Sequence, residues 1–132
     1  MKALLIVLAA AAALLLAGCA FRAADTGGDA GYKRISQDEA KKLMQEDNGH
    51  IIVDVRREDE FAAGHIPNAV CIPNESIGKE KPKELPDFDQ MILAYCRSGR
   101  RSKEAAKKLA AMGYTNVLEF GGINSWTGET TR

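Results

Sequence analysis

The sequence has few of the residues from which metal centres and nucleic-acid surfaces are built. Its 132 residues include only two histidines and three cysteines, and 18 lysines and arginines balance 18 aspartates and glutamates. The sequence contains no cluster of histidines, cysteines and carboxylates with metal-ligand spacing. It also contains no glycine-rich loop of the kind that binds nucleotides. The basic residues are interspersed with acidic ones. We therefore expect a protein that uses no metal and no cofactor and binds no nucleic acid.

The sequence also lacks an apolar run of membrane-spanning length. Residues 3–17 form an uninterrupted apolar run of 15 residues after Lys2, whereas a spanning helix needs about 18 or more. Such a run fits the apolar region of a secretory signal. It ends in Leu16-Ala17-Gly18-Cys19, which resembles the lipobox of bacterial lipoproteins, where the chain is cut before a cysteine that carries lipid. An ordinary cleaved signal or a weak N-terminal anchor is the alternative.

This pattern predicts three segments. Residues 1–18 are a signal peptide that is removed, residues 19–31 are the lipidated Cys19 with a flexible Gly- and Ala-rich tether, and residues 32–132 are one domain. The domain is expected to be monomeric and to be anchored by lipid, facing the periplasm or the cell exterior. Ala20, rather than an aspartate, follows the cysteine and favours the outer membrane where there are two.

Within the domain, helical and strand-like segments alternate, which indicates an α/β fold with a mainly parallel sheet. Ser36 and Glu39 match a capping box at the start of a helix. Gly121 and Gly122 are predicted to turn the chain after the last strand. The predicted strands are residues 32–35, 51–55, a short segment around Val70, 91–95 and 117–120. One predicted helix follows Ser36, and two others cover residues 57–63 and 101–112.

One loop carries most of the chemistry. The apolar run that ends at Tyr95 is followed by Cys96-Arg97-Ser98-Gly99-Arg100-Arg101-Ser102, and a helix begins at once. A strand, a tight loop and a helix N-terminus aim backbone N–H groups at one anion. The anion would be the thiolate of Cys96 or a charged group bound to it, so the loop predicts a reactive cysteine.

The other residues of the loop have simpler alternatives. Arg97 and Arg100 either bind an anionic donor or are solvated charges at the rim. Arg101 is expected to organise the loop. Ser98 and Ser102 supply hydroxyl donors to the sulfur or cap the helix.

Cys71 lies in a short apolar strand and is expected to be a buried core thiol. A Cys71–Cys96 disulfide is the alternative in an oxidising compartment, but it would abolish the site that the loop builds.

Three ordered motifs then resemble a rhodanese domain. Residues 54–69 resemble the first signature of that family, Cys96 to Ser102 its active-site loop, and residues 121–126 its second signature. The resemblance implies a rhodanese-like three-layer fold, with a five-stranded mainly parallel sheet flanked by helices. It also implies transfer of sulfane sulfur from a small anion such as thiosulfate, through a persulfide on Cys96, to cyanide or a thiol.

Loop length bears on the substrate. Related phosphatases and arsenate reductases place five residues between cysteine and arginine, whereas here only four separate Cys96 from Arg101, and Ser102 stands at the next position. The smaller cradle fits a sulfur atom better than a phosphate.

Asp54, Arg56 and His65 are expected to support the site, the first two as an ion pair and His65 as a turn residue rather than a base. A non-enzymatic sulfur-delivery or redox module that binds a protein partner is the alternative function.

Overall fold

The structure, a computed structural model, describes residues 31–132. The predicted signal peptide, Cys19 and the tether up to residue 30 lie outside the described residues. Within the described part of the chain, no helix is long and apolar enough to cross a membrane.

In residues 31–132 the strands are β1 (Lys33–Arg34), β2 (Ile51–Asp54), β3 (Val70–Cys71), β4 (Ile92–Cys96) and β5 (Val117–Gly122). These five strands form one parallel sheet with the order β1-β5-β4-β2-β3, which confirms the predicted α/β architecture. β4 lies in the middle of the sheet and all five of its residues are buried, so it has the continuous apolar sequence of a strand covered on both faces.

In the part of the chain that the structure describes, three helices connect the strands: α1 (Gln37–Met44), α2 (Glu58–Ala63) and α3 (Arg100–Met112). The predicted capping box is confirmed at α1, where the Glu39 amide donates to Ser36 Oγ at 3.0 Å and the Ser36 amide donates to the Glu39 carboxylate at 3.4 Å. Two single 3₁₀ turns, Asn74–Ser76 and Ile123–Ser125, follow β3 and β5.

The core consists of two apolar clusters, one on each face of the sheet. Successive side chains of β4 alternate between them, with Ile92 and Cys96 in the cluster that contains α3 and with Leu93 and Tyr95 in the other. This alternation places the sulfur of Cys96 on the α3 side of the sheet, at the carboxyl end of the central strand. Parallel α/β sheets bind ligands at this end.

The predicted end of the last strand at residue 120 is wrong. β5 continues through both glycines, because a bulge opposite β4 shifts the pairing from Ala94↔Glu119 to Cys96↔Gly122. Gly121 absorbs the irregularity with a φ of 98°, a conformation that favours glycine. The bulge brings the second glycine alongside Cys96.

Candidate active site

Cys96 ends β4, and the loop that follows it wraps around its sulfur. Gly99 is the N-cap of α3 and has a φ of 111°, which a residue with a side chain adopts only at a cost. This conformation points the Gly99 amide back at the thiol, and it donates to Cys96 Sγ at 3.0 Å. The N-terminus of α3 therefore begins directly at the sulfur, where its dipole favours a negative charge.

The loop favours the thiolate of Cys96 although the side chain is fully buried. Burial opposes ionisation, but the polar groups of Ser102 and the amides of Gly99 and Ser98 outweigh it and lower the pKa of the Cys96 thiol below its ordinary value. This is the electrostatic setting of a nucleophilic cysteine.

Ser102 lies in the first turn of α3 and is fully buried. It does not cap the helix, because the N-cap position belongs to Gly99. Its hydroxyl contacts the Glu119 carboxylate at 2.6 Å and the carbonyl oxygens of Gly99 and Gly121 at 3.1 and 3.3 Å. Ser102 thus joins the cysteine loop to β5.

The second glycine of β5 supports the loop from beneath. A Cβ atom built on Gly122 would overlap the carbonyl group of Arg97 and the amide nitrogen of Ser98. On the same side, the amide of Asn124 donates to the Arg97 carbonyl at 3.1 Å. The second glycine of this motif is therefore needed for the backbone of β5 to approach the cysteine loop closely.

The three arginines of the loop have different surroundings. Arg97 and Arg100 are exposed at the rim. Arg101 is half-buried, and its two terminal nitrogens donate to both carboxylate oxygens of Glu60 at 2.8 and 3.1 Å. Arg101 thus ties the loop to α2. The proposed contacts of Arg97, Ser98, Gly99, Arg100, Arg101 and Ser102 with a sulfur donor stay predictions.

Asp54 and Arg56 form a buried ion pair after β2, with Arg56 Nη2 2.7 Å from Asp54 Oδ2. Arg56 also donates to the Gly64 carbonyl at 2.6 Å. Tyr95 donates to Asp54 at 2.7 Å and accepts from the Ile66 amide at 3.0 Å. The network fixes the turn between α2 and β3 against the central strand, next to Cys96.

His65 lies in this turn and is held by its neighbours. Its ring stacks on Phe61 at a centroid distance of 3.7 Å, and Nδ1 contacts the Phe61 carbonyl oxygen at 2.8 Å. Its backbone pairs with Thr131. These contacts give His65 a structural role in positioning the turn.

Cys71 and Cys96 are both free thiols. Cys71 is half-buried rather than a core residue, and it lines a cavity of about 660 Å³ beside the connection that follows β3. Burial and the nearby charge of Asp54 raise the pKa of the Cys71 thiol to about 11. The two thiols of the described domain therefore have opposite electrostatic settings.

Sequence reasoning missed the carboxylates of Glu60 and Glu119. Glu60 lies 41 positions from Arg101 in the sequence, so no local spacing joins them. Glu119 did carry a signal, since it is a charged residue inside an otherwise apolar strand and is fully buried. A buried charge needs partners, and those of Glu119 are the Ser102 hydroxyl at 2.6 Å, the Gly121 amide at 2.9 Å and Arg34 at 3.3 Å.

A parallel α/β domain with an activated cysteine in a loop between a central strand and a helix defines the class of protein. A family model described as the rhodanese-like domain matches residues 36–129. The chain therefore belongs to the rhodanese-like domain family.

Several relatives are named as sulfurtransferases. The chain is 39% identical over 98 residues to the putative sulfurtransferase YtwF of Bacillus subtilis, covering 74% of this chain and 93% of that protein. It is 35% identical over 96 residues to the thiosulfate sulfurtransferase GlpE of Haemophilus influenzae, covering 72% of this chain and 88% of that protein.

Two other relatives are longer. The match spans 23% of the adenylyltransferase and sulfurtransferase UBA4 of Candida albicans, at 36% identity and over 71% of this chain. It spans 51% of the putative sulfur carrier protein YrkF of B. subtilis, at 35% identity and over 73% of this chain.

Solved structures agree with this assignment. A rhodanese-like domain protein from Staphylococcus aureus has a TM-score of 0.62 at 34% identity, covering 74% of this chain and 93% of that one. A rhodanese with anions from E. coli has a TM-score of 0.58 at 28% identity, covering 63% of this chain and 98% of that one.

Replacing Gly122 should damage the site more than replacing a glycine in open space. We expect Gly122→Ala to lower the free energy of unfolding by about 3 kcal/mol, because the added methyl group forces the cysteine loop away from β5. Gly49→Ala is the control, since Gly49 has a φ of 77° but a methyl group added there would have no heavy atom within 4 Å, and it should cost about 1 kcal/mol. Urea unfolding measures both, and equal losses would contradict the close packing of β5 on the loop.

The ion pair between Arg101 and Glu60 should make stability fall in acid. The hydrogen bond from Arg101 lowers the pKa of Glu60 from 4.5 to about 2, so the pair stabilises the fold fully above pH 4.5 and loses this contribution as the pH falls toward 2. The free energy of unfolding of wild type should exceed that of Glu60→Gln by about 1–2 kcal/mol at pH 7 and by little at pH 2.5. Urea titrations at the two pH values measure this difference. Glu80→Gln, at an exposed position, should show no such difference. A gap between wild type and Glu60→Gln that does not change with pH would refute the assignment.

Proposed function

We propose that this protein is a sulfurtransferase that carries sulfane sulfur on Cys96, taking it from thiosulfate or a similar anion and passing it to cyanide or a thiol. The observation that carries the proposal is the hydrogen bond from the Gly99 amide to Cys96 Sγ at 3.0 Å, in a loop whose other amides stabilise the thiolate. The family and the sulfurtransferase names of its relatives support the same reaction class.

The first half-reaction loads the cysteine. The thiolate of Cys96 attacks the outer sulfur of thiosulfate, and a new S–S bond forms while the bond to the sulfite group breaks and its electron pair leaves with sulfite. The loop amides that held the thiolate then hold the persulfide anion. Arg97 and Arg100 at the exposed rim attract the dianionic donor and stabilise the departing sulfite.

The second half-reaction unloads it. Cyanide or a thiolate attacks the outer sulfur of the persulfide, and the S–S bond electrons return to Cys96 as its thiolate. The same amides stabilise this leaving group, so no side chain has to supply a proton to it.

The size of the loop supports sulfur rather than phosphate as the transferred group. The position six residues after Cys96 is Ser102, which is buried and bonded to Glu119, and Arg101 is engaged by Glu60. A phosphatase of related design would use an arginine at that position to bind the phosphate oxygens. Cys96-dependent phosphatase turnover would overturn this choice.

A second candidate is a sulfur-delivery module that hands the persulfide to one protein partner. The relative named as a putative sulfur carrier protein favours it, and the rim residues Arg97 and Arg100 are exposed enough to contact a partner. Both candidates share the loading step and differ in the acceptor.

We also propose that the protein is exported and anchored by lipid on Cys19. The support comes from the sequence, in which a 15-residue apolar run leads to Leu16-Ala17-Gly18-Cys19. The domain would then act at a membrane surface outside the cytoplasm.

Thiosulfate should add one sulfur atom to the protein. Intact mass after treatment should rise by one sulfur in wild type and in Cys71→Ala, return to its original value on cyanide addition, and stay constant in Cys96→Ala. An unlabelled wild type would refute the sulfurtransferase proposal. Loading followed by release to a protein partner but not to cyanide would select the delivery module.

Lipid attachment should depend on Cys19. A bacterial host fed a labelled fatty acid should label the full chain and Cys71→Ser but not Cys19→Ser, as detected on a gel. Equal labelling of the Cys19→Ser variant, or none of the wild type, would contradict the anchor.

A further inference from the structure

Glu119 is a fully buried carboxylate beneath the cysteine loop. Its Oε2 accepts the Ser102 hydroxyl at 2.6 Å and the Gly121 amide at 2.9 Å. The same oxygen would lie 3.9 Å from a Cβ atom on Gly99, the residue whose amide donates to the sulfur. The carboxylate therefore lies directly behind the groups that stabilise the Cys96 thiolate.

The charge of Glu119 is only partly compensated. Arg34 on β1 approaches it, with Nε 3.3 Å from Oε1, but the side chain of Arg34 is 50% exposed. Oε1 accepts no hydrogen bond from any described residue. In buried surroundings such a charge acts on its neighbours with little screening.

Glu119 also competes with Cys96 for the Ser102 hydroxyl. A serine has one hydroxyl proton, so the proton that the Glu119 carboxylate binds cannot be donated to the Cys96 sulfur at the same time. The 2.6 Å contact has the length of a charge-assisted hydrogen bond to a carboxylate. Through Ser102, then, Glu119 withdraws part of the stabilisation that the sulfur would otherwise receive.

The two states of the cysteine differ in where their negative charge lies. In the thiolate the charge is on Sγ, which the Gly99 amide contacts, whereas in the persulfide it is on the outer sulfur, one S–S bond of about 2 Å farther along. The outer sulfur lies on the side from which the donor enters. A fixed negative charge behind Sγ therefore disfavours the thiolate more than the persulfide.

We propose that Glu119 is a positioning residue whose buried negative charge, acting through Ser102, favours the sulfur-loaded form of Cys96 over the empty form. The proposal rests on the proposed function, since it concerns the equilibrium of the loading step. It predicts that the carboxylate destabilises the Cys96 thiolate and thereby favours the Cys96 persulfide.

The test uses Glu119→Gln, which keeps the shape of the side chain and an oxygen for the Gly121 amide. At a fixed ratio of thiosulfate to sulfite, intact mass should show the ratio of loaded to empty protein fall about fivefold. At the same time, the pH midpoint of the thiolate absorbance near 240 nm, measured against Cys96→Ala in each background, should move down. Glu80→Gln is the control and should change neither value.

Arg34→Gln provides the opposite test. Arg34 lies at the exposed edge of the sheet, so this variant should fold. Removing the partial compensation should raise the loaded ratio and the midpoint. Unchanged values in both variants would overturn the proposal, and so would a loss of loading in Glu119→Gln with a midpoint that moves up, because damage to the loop would produce that pattern. If wild type takes up no sulfur, the proposed function fails. The role of Glu119 is then judged from the thiolate titrations alone, and it is overturned if the pH midpoints of Glu119→Gln and Arg34→Gln do not move in opposite directions.

Discussion

A negative charge on a fully buried sulfur is the constraint on which the rest of the site depends. Cys96 must be ionised to act as a nucleophile, yet it ends the central strand of the sheet with no exposed surface. Backbone amides resolve this conflict, because they stabilise an anion without a mobile counter-charge. Gly99 supplies the amide at 3.0 Å, and its left-handed conformation is what turns that amide toward the sulfur.

The surroundings of the loop serve to keep its amides in place. Gly122 lets β5 pass directly beneath it, Arg101 and Glu60 join it to α2, and Ser102 and Glu119 join it to β5. These connections come from two elements of the fold, β5 and α2, so the loop is held from two sides. This explains why the glycine pair of the second motif, far from Cys96 in the sequence, belongs to the same site.

Much of the fold could be predicted from the sequence because its signals are local. The capping box at Ser36, the β-branched residues of β2 and the apolar run of β4 gave the right elements. The end of β5 could not be predicted, because glycines indicate a turn in isolation and only the bulge opposite Cys96 keeps them in the strand. The partners of Arg101 and Ser102 could not be predicted for a related reason, since each partner lies on another element that only the tertiary fold brings near.

The cysteine itself could be identified from its loop, whereas the carboxylate behind it left only one signal in the sequence, a charged residue inside an apolar strand. The site thus balances groups that favour a thiolate against one that restrains it. The most direct measurement is the pH titration of thiolate absorbance near 240 nm in wild type, with Cys96→Ala as the blank. The structure predicts a midpoint below the ordinary cysteine value of about 8.5. A midpoint at or above that value would contradict the central claim that the loop amides stabilise the Cys96 thiolate.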